Sequence, residues 1–220
     1  MRSTRLLAVA GSAVVLSLIV QACGDDPPTV TDVAGVPVSA LVAHSPTHLK
    51  ADNTGASLLA LPSYTDVDGG SASGNGSGAA GGVLSLSVDV AAAIPRFPDS
   101  YTQSVAVFGY AWADLTTGLG LVAVIHPVIG RDSRQNPDAW HTHPVQLTTG
   151  TGSSSFCIVS IGVSEGGIAI NGDVMRVRIT EQAAGVSADA INVVAAFSVQ
   201  GDAGCTGTGL GVLVLSAASL

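Results

Sequence analysis

Hydrophobic and polar residues alternate along much of the second half of the chain, which is the period expected of half-buried β-strands. In Val83–Val90 the even-numbered positions are Leu or Val, and the odd-numbered positions are mostly polar. Apolar runs over residues 168–170 and 174–179 flank Asn171-Gly172, which is the favoured sequence of a two-residue hairpin turn. These patterns predict one strand and one hairpin at defined positions.

Further short strands are predicted from apolar runs that are rich in β-branched and aromatic residues. No segment has a convincing amphipathic helical pattern, whereas residues 66–82 are rich in Gly, Ser and Ala and predict a flexible loop. We therefore expect an all-β protein with a single antiparallel β-sandwich domain, of the jelly-roll or immunoglobulin-like type, over residues 38–220. The additional predicted strands cover residues 104–112, 119–125, 140–148, 156–163, 191–199 and 209–216.

The N-terminus has the features of an export signal. Arg2 and Arg5 precede an apolar run over residues 6–20, which is short for a membrane-spanning helix. The sequence VQAC at residues 20–23 resembles the lipobox of bacterial lipoproteins, with an aliphatic residue three positions before a cysteine and a small residue directly before it. An ordinary signal peptide that happens to contain a cysteine is the alternative.

The lipobox resemblance implies cleavage before Cys23 and attachment of lipid to its thiol. Residues 1–22 are then a lipoprotein signal peptide, and residues 23–37 a tether between the membrane and the domain. Residue 24 is Gly and not Asp, which by the same resemblance favours the outer membrane of a diderm cell. We therefore expect a lipid-anchored protein of the cell envelope.

The composition excludes two classes of protein. The 220 residues include 8 Lys and Arg against 16 Asp and Glu, so a basic surface for nucleic acid is not expected. Hydrophobic residues make up 47% and charged residues 11%, unlike the composition of a disordered chain. The expected partners are the membrane, through the lipid anchor, and an envelope protein or glycan.

Two cysteines remain besides the one in the lipobox, namely Cys157 and Cys205. An even number of cysteines in an exported chain predicts a disulfide between them. Two buried free thiols are the alternative.

His126, His141 and His143 are the candidate metal ligands. His141 and His143 stand two residues apart on a predicted strand and so share one of its faces, while His126 ends an earlier apolar run. Three imidazoles suit zinc or copper and leave one coordination position open. The His-x-His pattern resembles the cupin motif, but the glycine and glutamate of that motif are missing, so no cupin function follows. The alternative is that these histidines form hydrogen bonds near a sheet edge without a metal.

Arg131, Arg134 and Trp140 form a second candidate site, a polar binding surface with one aromatic side chain, although Trp140 is also a candidate core residue. The sequence contains no phosphate-binding loop, and no catalytic signature in it rises above chance, so we expect no enzyme. The expected function is a non-catalytic binding or structural module that needs no cofactor. The alternatives are a zinc- or copper-binding module built on the three histidines, with or without enzymatic activity, and a self-associating assembly component.

Overall fold

The computed structural model of the protein describes residues 61–75, 82–126, 139–150, 154–164 and 166–220. Within these ranges it confirms the all-β class, since strands dominate and the two α-helices, α1 (Ser100–Ser104) and α2 (Glu181–Ala184), are short. No helix in the described ranges has the length and hydropathy to span a bilayer. The strands are β1 (Val67–Asn75), β2 (Val83–Val90), β3 (Val107–Ala113), β4 (Leu119–Ile125), β5 (His141–Thr149), β6 (Phe156–Ile161), β7 (Gly167–Asn171), β8 (Val174–Thr180), β9 (Val193–Gly201) and β10 (Leu210–Ser219).

Four strands form an open antiparallel sheet in the order β1, β2, β8, β7. Alternate residues of β2, such as Leu84 and Leu86, are buried, and the residues between them are at least partly exposed. The alternation predicted for Val83–Val90 is therefore confirmed. The predicted hairpin is present, but its two-residue turn is Gly172-Asp173 and not Asn171-Gly172, because Asn171 still pairs with Val174. Gly172 has a φ of 63°, a conformation that favours glycine.

The other six strands close into an antiparallel barrel in the order β10, β6, β5, β4, β3, β9, and β9 pairs back with β10. The expected jelly-roll or immunoglobulin-like sandwich differs from this arrangement, because one of its two layers is a closed barrel and not an open sheet. Because the barrel is closed, none of its six strands is an edge strand with an unpaired side. The shortest pairing is between β10 and β6, where only Gly211 and Val212 face Cys157 and Phe156.

The prediction of a flexible loop over residues 66–82 is wrong for its first part, because β1 occupies Val67–Asn75. This strand pairs with β2 and has an irregularity next to Gly69. Glycine allows an unusually close approach here, since a Cβ atom at Gly70 would lie 2.5 Å from the carbonyl oxygen of Ser87. Pairing and packing therefore override the low intrinsic strand propensity of this segment.

The open sheet packs against the outside of the barrel and buries a continuous core between the two layers. Phe108, Tyr110 and Trp112 of β3 are fully buried in this core. The indole Nε1 of Trp112 donates a hydrogen bond of 2.8 Å to the carbonyl of Ser87 in β2. The hydroxyl of Tyr110 donates one of 2.7 Å to the carbonyl of Tyr64. The first bond joins the barrel to the sheet that covers it, and the second joins the barrel to the segment that precedes β1.

The predicted disulfide between Cys157 and Cys205 is present, with the two Cα atoms 5.2 Å apart. Cys157 lies in β6, and Cys205 lies in the turn between β9 and β10. Because Cys157 also stands opposite Gly211, the disulfide lies beside the short pairing of β6 with β10. The covalent bond therefore reinforces the place where the barrel closes.

Candidate functional site

The interior of the barrel contains a cavity of about 240 Å³ that is partly open to solvent. Successive residues of a strand point to opposite faces, so every second residue of the barrel strands faces the interior. Most of these positions carry Val, Ala or Leu, which are too small to fill the space between the walls. Examples are Val122 and Val124 of β4, Val145 of β5, and Ala195 and Val199 of β9.

Solvent exposure separates this interior from the core that lies between barrel and sheet. Ala123 and Ala196 face the open sheet and are 0% exposed, whereas their chain neighbours Val122 and Ala195 face the cavity and are each 6% exposed. Close-packed interiors leave few voids larger than a water molecule. The two sides of the same strands are thus packed differently, and the space inside the barrel can hold a small molecule.

Within the described residues, the most exposed large side chain of the lining marks the mouth of the cavity. Ile161, at the end of β6, is 47% exposed, and Val107 at the start of β3 is partly buried. Leu210, which opens β10, is also partly buried. The same end of the barrel carries the end of β4 and the start of β5, because Phe108 pairs with Ile125 in the β3–β4 ladder. Two histidines line the cavity at this end of the barrel. His126 directly follows β4, and His143 lies near the start of β5.

The three candidate histidines meet at this mouth. In the β4–β5 ladder Val124 faces His141 and Val122 faces His143, while His126 directly follows β4. All three histidines are buried, and one ring nitrogen of each lies within 4.8 Å of those of the other two. The Nε2 atoms of His126 and His141 are 2.9 Å apart. The pairing of β4 with β5 therefore brings together the residues that the sequence hypothesis required to converge.

Two backbone carbonyls fix the tautomers of the β5 histidines. The Nδ1 of His141 lies 2.9 Å from the carbonyl oxygen of Ala139, and the Nδ1 of His143 lies 2.8 Å from that of Gly162. A carbonyl oxygen only accepts hydrogen bonds, so each Nδ1 carries the proton and, in the neutral ring, the lone pair is on Nε2. When both rings are neutral, the short contact between the two Nε2 atoms is a hydrogen bond that His126 donates to His141.

The aromatic residue of the second candidate site lies elsewhere. The ring of Trp140 stacks on that of Tyr110, with centroids 5.6 Å apart and planes at 13°. Its Nε1 donates a hydrogen bond of 2.7 Å to the carbonyl of Pro95. Trp140 is partly buried against the core, and it is not among the residues that line the cavity. Arg131 and Arg134 lie outside the described residues.

Tyr64 and Tyr101 have shifted pKa values and are not among the residues that line the cavity. Burial, followed by the charge of Asp99, raises the pKa of Tyr101 to about 12, and burial also raises the pKa of Tyr64. Desolvation opposes ionisation of Asp99, but hydrogen bonds from the backbone N–H of Thr102 and from the Tyr64 hydroxyl outweigh it and lower the pKa of this carboxyl. These groups cap α1 and link it to the core, so their shifts have a structural cause.

The sequence hypothesis named the histidines but missed the cavity. The available signal was that β3, β4 and β9 are apolar on both faces, with few polar positions between buried ones. A strand of this kind is buried on both sides. Only the strand order shows that one side packs against a sheet and the other faces an enclosed space.

Comparisons with known proteins add no relative. No protein-family model, no curated protein and no solved structure shows significant similarity to this chain. The geometry of the barrel and the residues at its mouth are therefore the guide to the function of this protein.

Proposed function

We propose that this protein is a lipid-anchored binding module of the cell envelope whose barrel takes up one small, mostly apolar molecule. The observation that supports this proposal is the cavity of about 240 Å³ with walls of Val, Ala, Leu, Ile and Phe. Apolar cavities of this kind stay dry and bind apolar molecules, because water finds no hydrogen-bonding partners in them. Within the described residues the only polar side chains in the lining belong to His126 and His143.

The volume limits the size of the ligand. A protein cavity of about 150 Å³ holds one benzene molecule, so by proportion a volume of about 240 Å³ suits a molecule of about ten carbon atoms. The two histidines lie at one end of the lining, so the ligand is expected to carry one polar group at one end. The chemical class is thus a small amphiphile with a bicyclic or short-chain apolar body.

Binding of naphthalene and of 1-naphthol, measured by calorimetry in the presence of a chelator, tests this proposal. We expect one molecule per chain, with 1-naphthol bound more tightly because its hydroxyl reaches the imidazoles. A contribution of about 0.6 kcal/mol per non-hydrogen atom gives a dissociation constant on the order of 10 µM. No saturable binding of either compound would refute the proposal.

Two variants separate binding in the cavity from adhesion to the surface. Ala195→Leu adds side-chain volume inside the barrel and is expected to weaken 1-naphthol binding by at least about tenfold, because the ligand and the new side chain compete for one space. Phe97→Ala removes a side chain that is 74% exposed and lies outside the cavity, so it should leave binding unchanged. Equal binding by both variants would place the ligand outside the barrel.

The lipid anchor rests on residues 1–23, which lie outside the described residues, and has its own test. Cys23→Ser removes the thiol that would be acylated, so labelling with radioactive palmitate should be lost and the protein should leave the membrane fraction. Gly24→Asp is the control, because it keeps the thiol and is expected to change only the distribution between inner and outer membrane. Membrane association that survives Cys23→Ser would contradict lipid anchoring.

A further inference from the structure

We infer that His126, His141 and His143 bind one divalent transition-metal ion, Zn²⁺ or Cu²⁺, at the mouth of the barrel. The inference stands on the arrangement of the three imidazoles and does not require the proposed apolar ligand. Imidazole nitrogen suits zinc and copper, whereas calcium and magnesium prefer oxygen ligands. The carboxylates of the described residues are absent from this cluster, which fits an all-nitrogen site.

The distances are close to those of a metal site. Metal–nitrogen bonds of about 2.0–2.1 Å at tetrahedral angles place the donor atoms about 3.3 Å apart. The Nε2 atoms of His126 and His141 are 2.9 Å apart, and one ring nitrogen from each of the three residues lies within 4.8 Å of the other two. A spread of this size is closed by small ring rotations and needs no change in the strands.

The outer hydrogen bonds already have the pattern of a metal site. A metal-bound histidine usually donates its second ring N–H to a carbonyl or carboxylate, which fixes the ring and makes the bound nitrogen more basic. His141 and His143 make this bond from Nδ1 to the carbonyls of Ala139 and Gly162. In the neutral form of both rings, the lone pair that can bind a metal is therefore on Nε2. His126 donates a proton from its own Nε2 in the neutral pair, so this proton must leave that atom before His126 binds a metal through it.

The backbone holds the ligands in place. His141 and His143 lie inside the β4–β5 ladder, and their rings meet edge to face with centroids 4.9 Å apart. His126 and His141 meet in the same way at 4.7 Å. All three side chains are buried, so binding immobilises little that is not already ordered.

Three protein ligands leave one position of a tetrahedral ion open. Two of the three histidines also line the cavity, so we expect the open position to face the interior. An amphiphile held in the barrel would then place its polar end on the metal. This last step rests on the proposed function, whereas metal binding itself does not.

Metal uptake by the folded protein, purified without a histidine tag, tests the inference. After chelator treatment the protein is titrated with Zn²⁺ by calorimetry and with Co²⁺ by visible absorption, which reports tetrahedral coordination. We expect one ion per chain, and a change in the Co²⁺ bands when azide occupies the open position. His141→Ala and His143→Ala should each weaken binding by more than the roughly 10- to 100-fold that loss of an outer hydrogen-bond partner costs.

The chain provides a matched control in its other two histidines, His44 and His48, which lie outside the described residues and do not belong to the inferred ligand set. The double variant His44→Ala, His48→Ala removes two imidazoles and should retain one tightly bound ion. Thermal unfolding in chelator checks that the cluster variants are folded, and added Zn²⁺ should raise the melting temperature of the parent protein but not theirs. No binding to the parent protein, or equal binding by folded cluster variants, would overturn the inference. Titration with naphthalene in chelator is independent of this result, so failure of one proposal is distinguishable from failure of the other.

Discussion

Two neighbouring alanines of β9 provide a direct test of the cavity. Ala195 faces the barrel interior and Ala196 faces the core beneath the open sheet. The substitutions Ala195→Leu and Ala196→Leu introduce the same side chain one residue apart in the same strand. Because backbone and strand propensity are matched, any difference in stability reports the space on each side of the strand.

The expected effects have opposite signs. Leu adds three carbon atoms to Ala, and each buried methylene contributes about 0.8 kcal/mol, while fixing the new side chain costs about 0.5–1 kcal/mol. Ala195→Leu should therefore raise the free energy of unfolding by about 1.5 kcal/mol. Ala196 is 0% exposed in a packed core, and inserting volume into such a site typically costs about 1–3 kcal/mol.

Equilibrium unfolding in urea, with the disulfide intact, measures both changes. The dependence of the free energy on urea should be the same for both variants, because the surface exposed on unfolding is nearly unchanged. Thermal unfolding gives a second reading, since about 1 kcal/mol corresponds to about 2–4 °C in a domain of this size. If Ala195→Leu destabilises the protein as much as Ala196→Leu, the barrel interior is packed and the reasoning about the cavity is wrong.

Three further predictions concern the scaffold. Replacing Cys157 and Cys205 by Ser releases a loop with a sequence separation of 48 residues and should cost about 4 kcal/mol in urea unfolding; a loss below about 1 kcal/mol would mean that the disulfide hardly constrains the unfolded chain. Asp99→Ala removes the N-cap of α1 and should cost about 1 kcal/mol at neutral pH. The pKa of Asp99 is lower in the folded protein, so the ionised carboxylate stabilises the fold above about pH 4, and this stabilisation is lost as the pH falls through the pKa of the folded state. The variant should therefore lose less stability in acid than the parent protein does. Identical dependence of stability on pH in the two proteins would contradict this prediction. Gly70→Ala should cost about 1–3 kcal/mol because its Cβ meets a carbonyl, whereas Gly69→Ala, with nothing within 4 Å, should cost less than about 1 kcal/mol, and equal losses would argue against the close contact.

The sequence predicted those parts of the fold that depend on local pattern. Val83–Val90 and Leu119–Ile125 have the predicted limits, because alternation and long apolar runs are properties of the strand itself. The strand at Val67–Asn75 was missed, since its Gly and Ser residues owe their extended conformation to a neighbouring strand. Closure of the barrel was missed because it depends on contacts between distant segments. β3 pairs with β9 although about 80 residues separate the two strands, and a local pattern does not reveal such a partner.

The candidate site divides in the same way. The shared face of His141 and His143 follows from their spacing, and the disulfide follows from the cysteine count. His126 lies close to these two histidines only because β4 pairs with β5. The sequence hypothesis assumed this pairing and had no means of deriving it. The cavity is a property of six strands together, so no segment of sequence carries its signature.

The strand order also determines when the barrel can form during synthesis. β3, β4, β5 and β6 are successive neighbours along the wall, but the gap between β3 and β6 is closed by β9 and β10. These last strands lie within residues 193–219, so all the strands before them must leave the ribosome before the interior is enclosed. Until then, the apolar inner faces and two unpaired strand edges are exposed to other chains. Pairing of β9 and β10 with the other strands removes both hazards in one step, because it covers the inner faces and gives each free edge a partner.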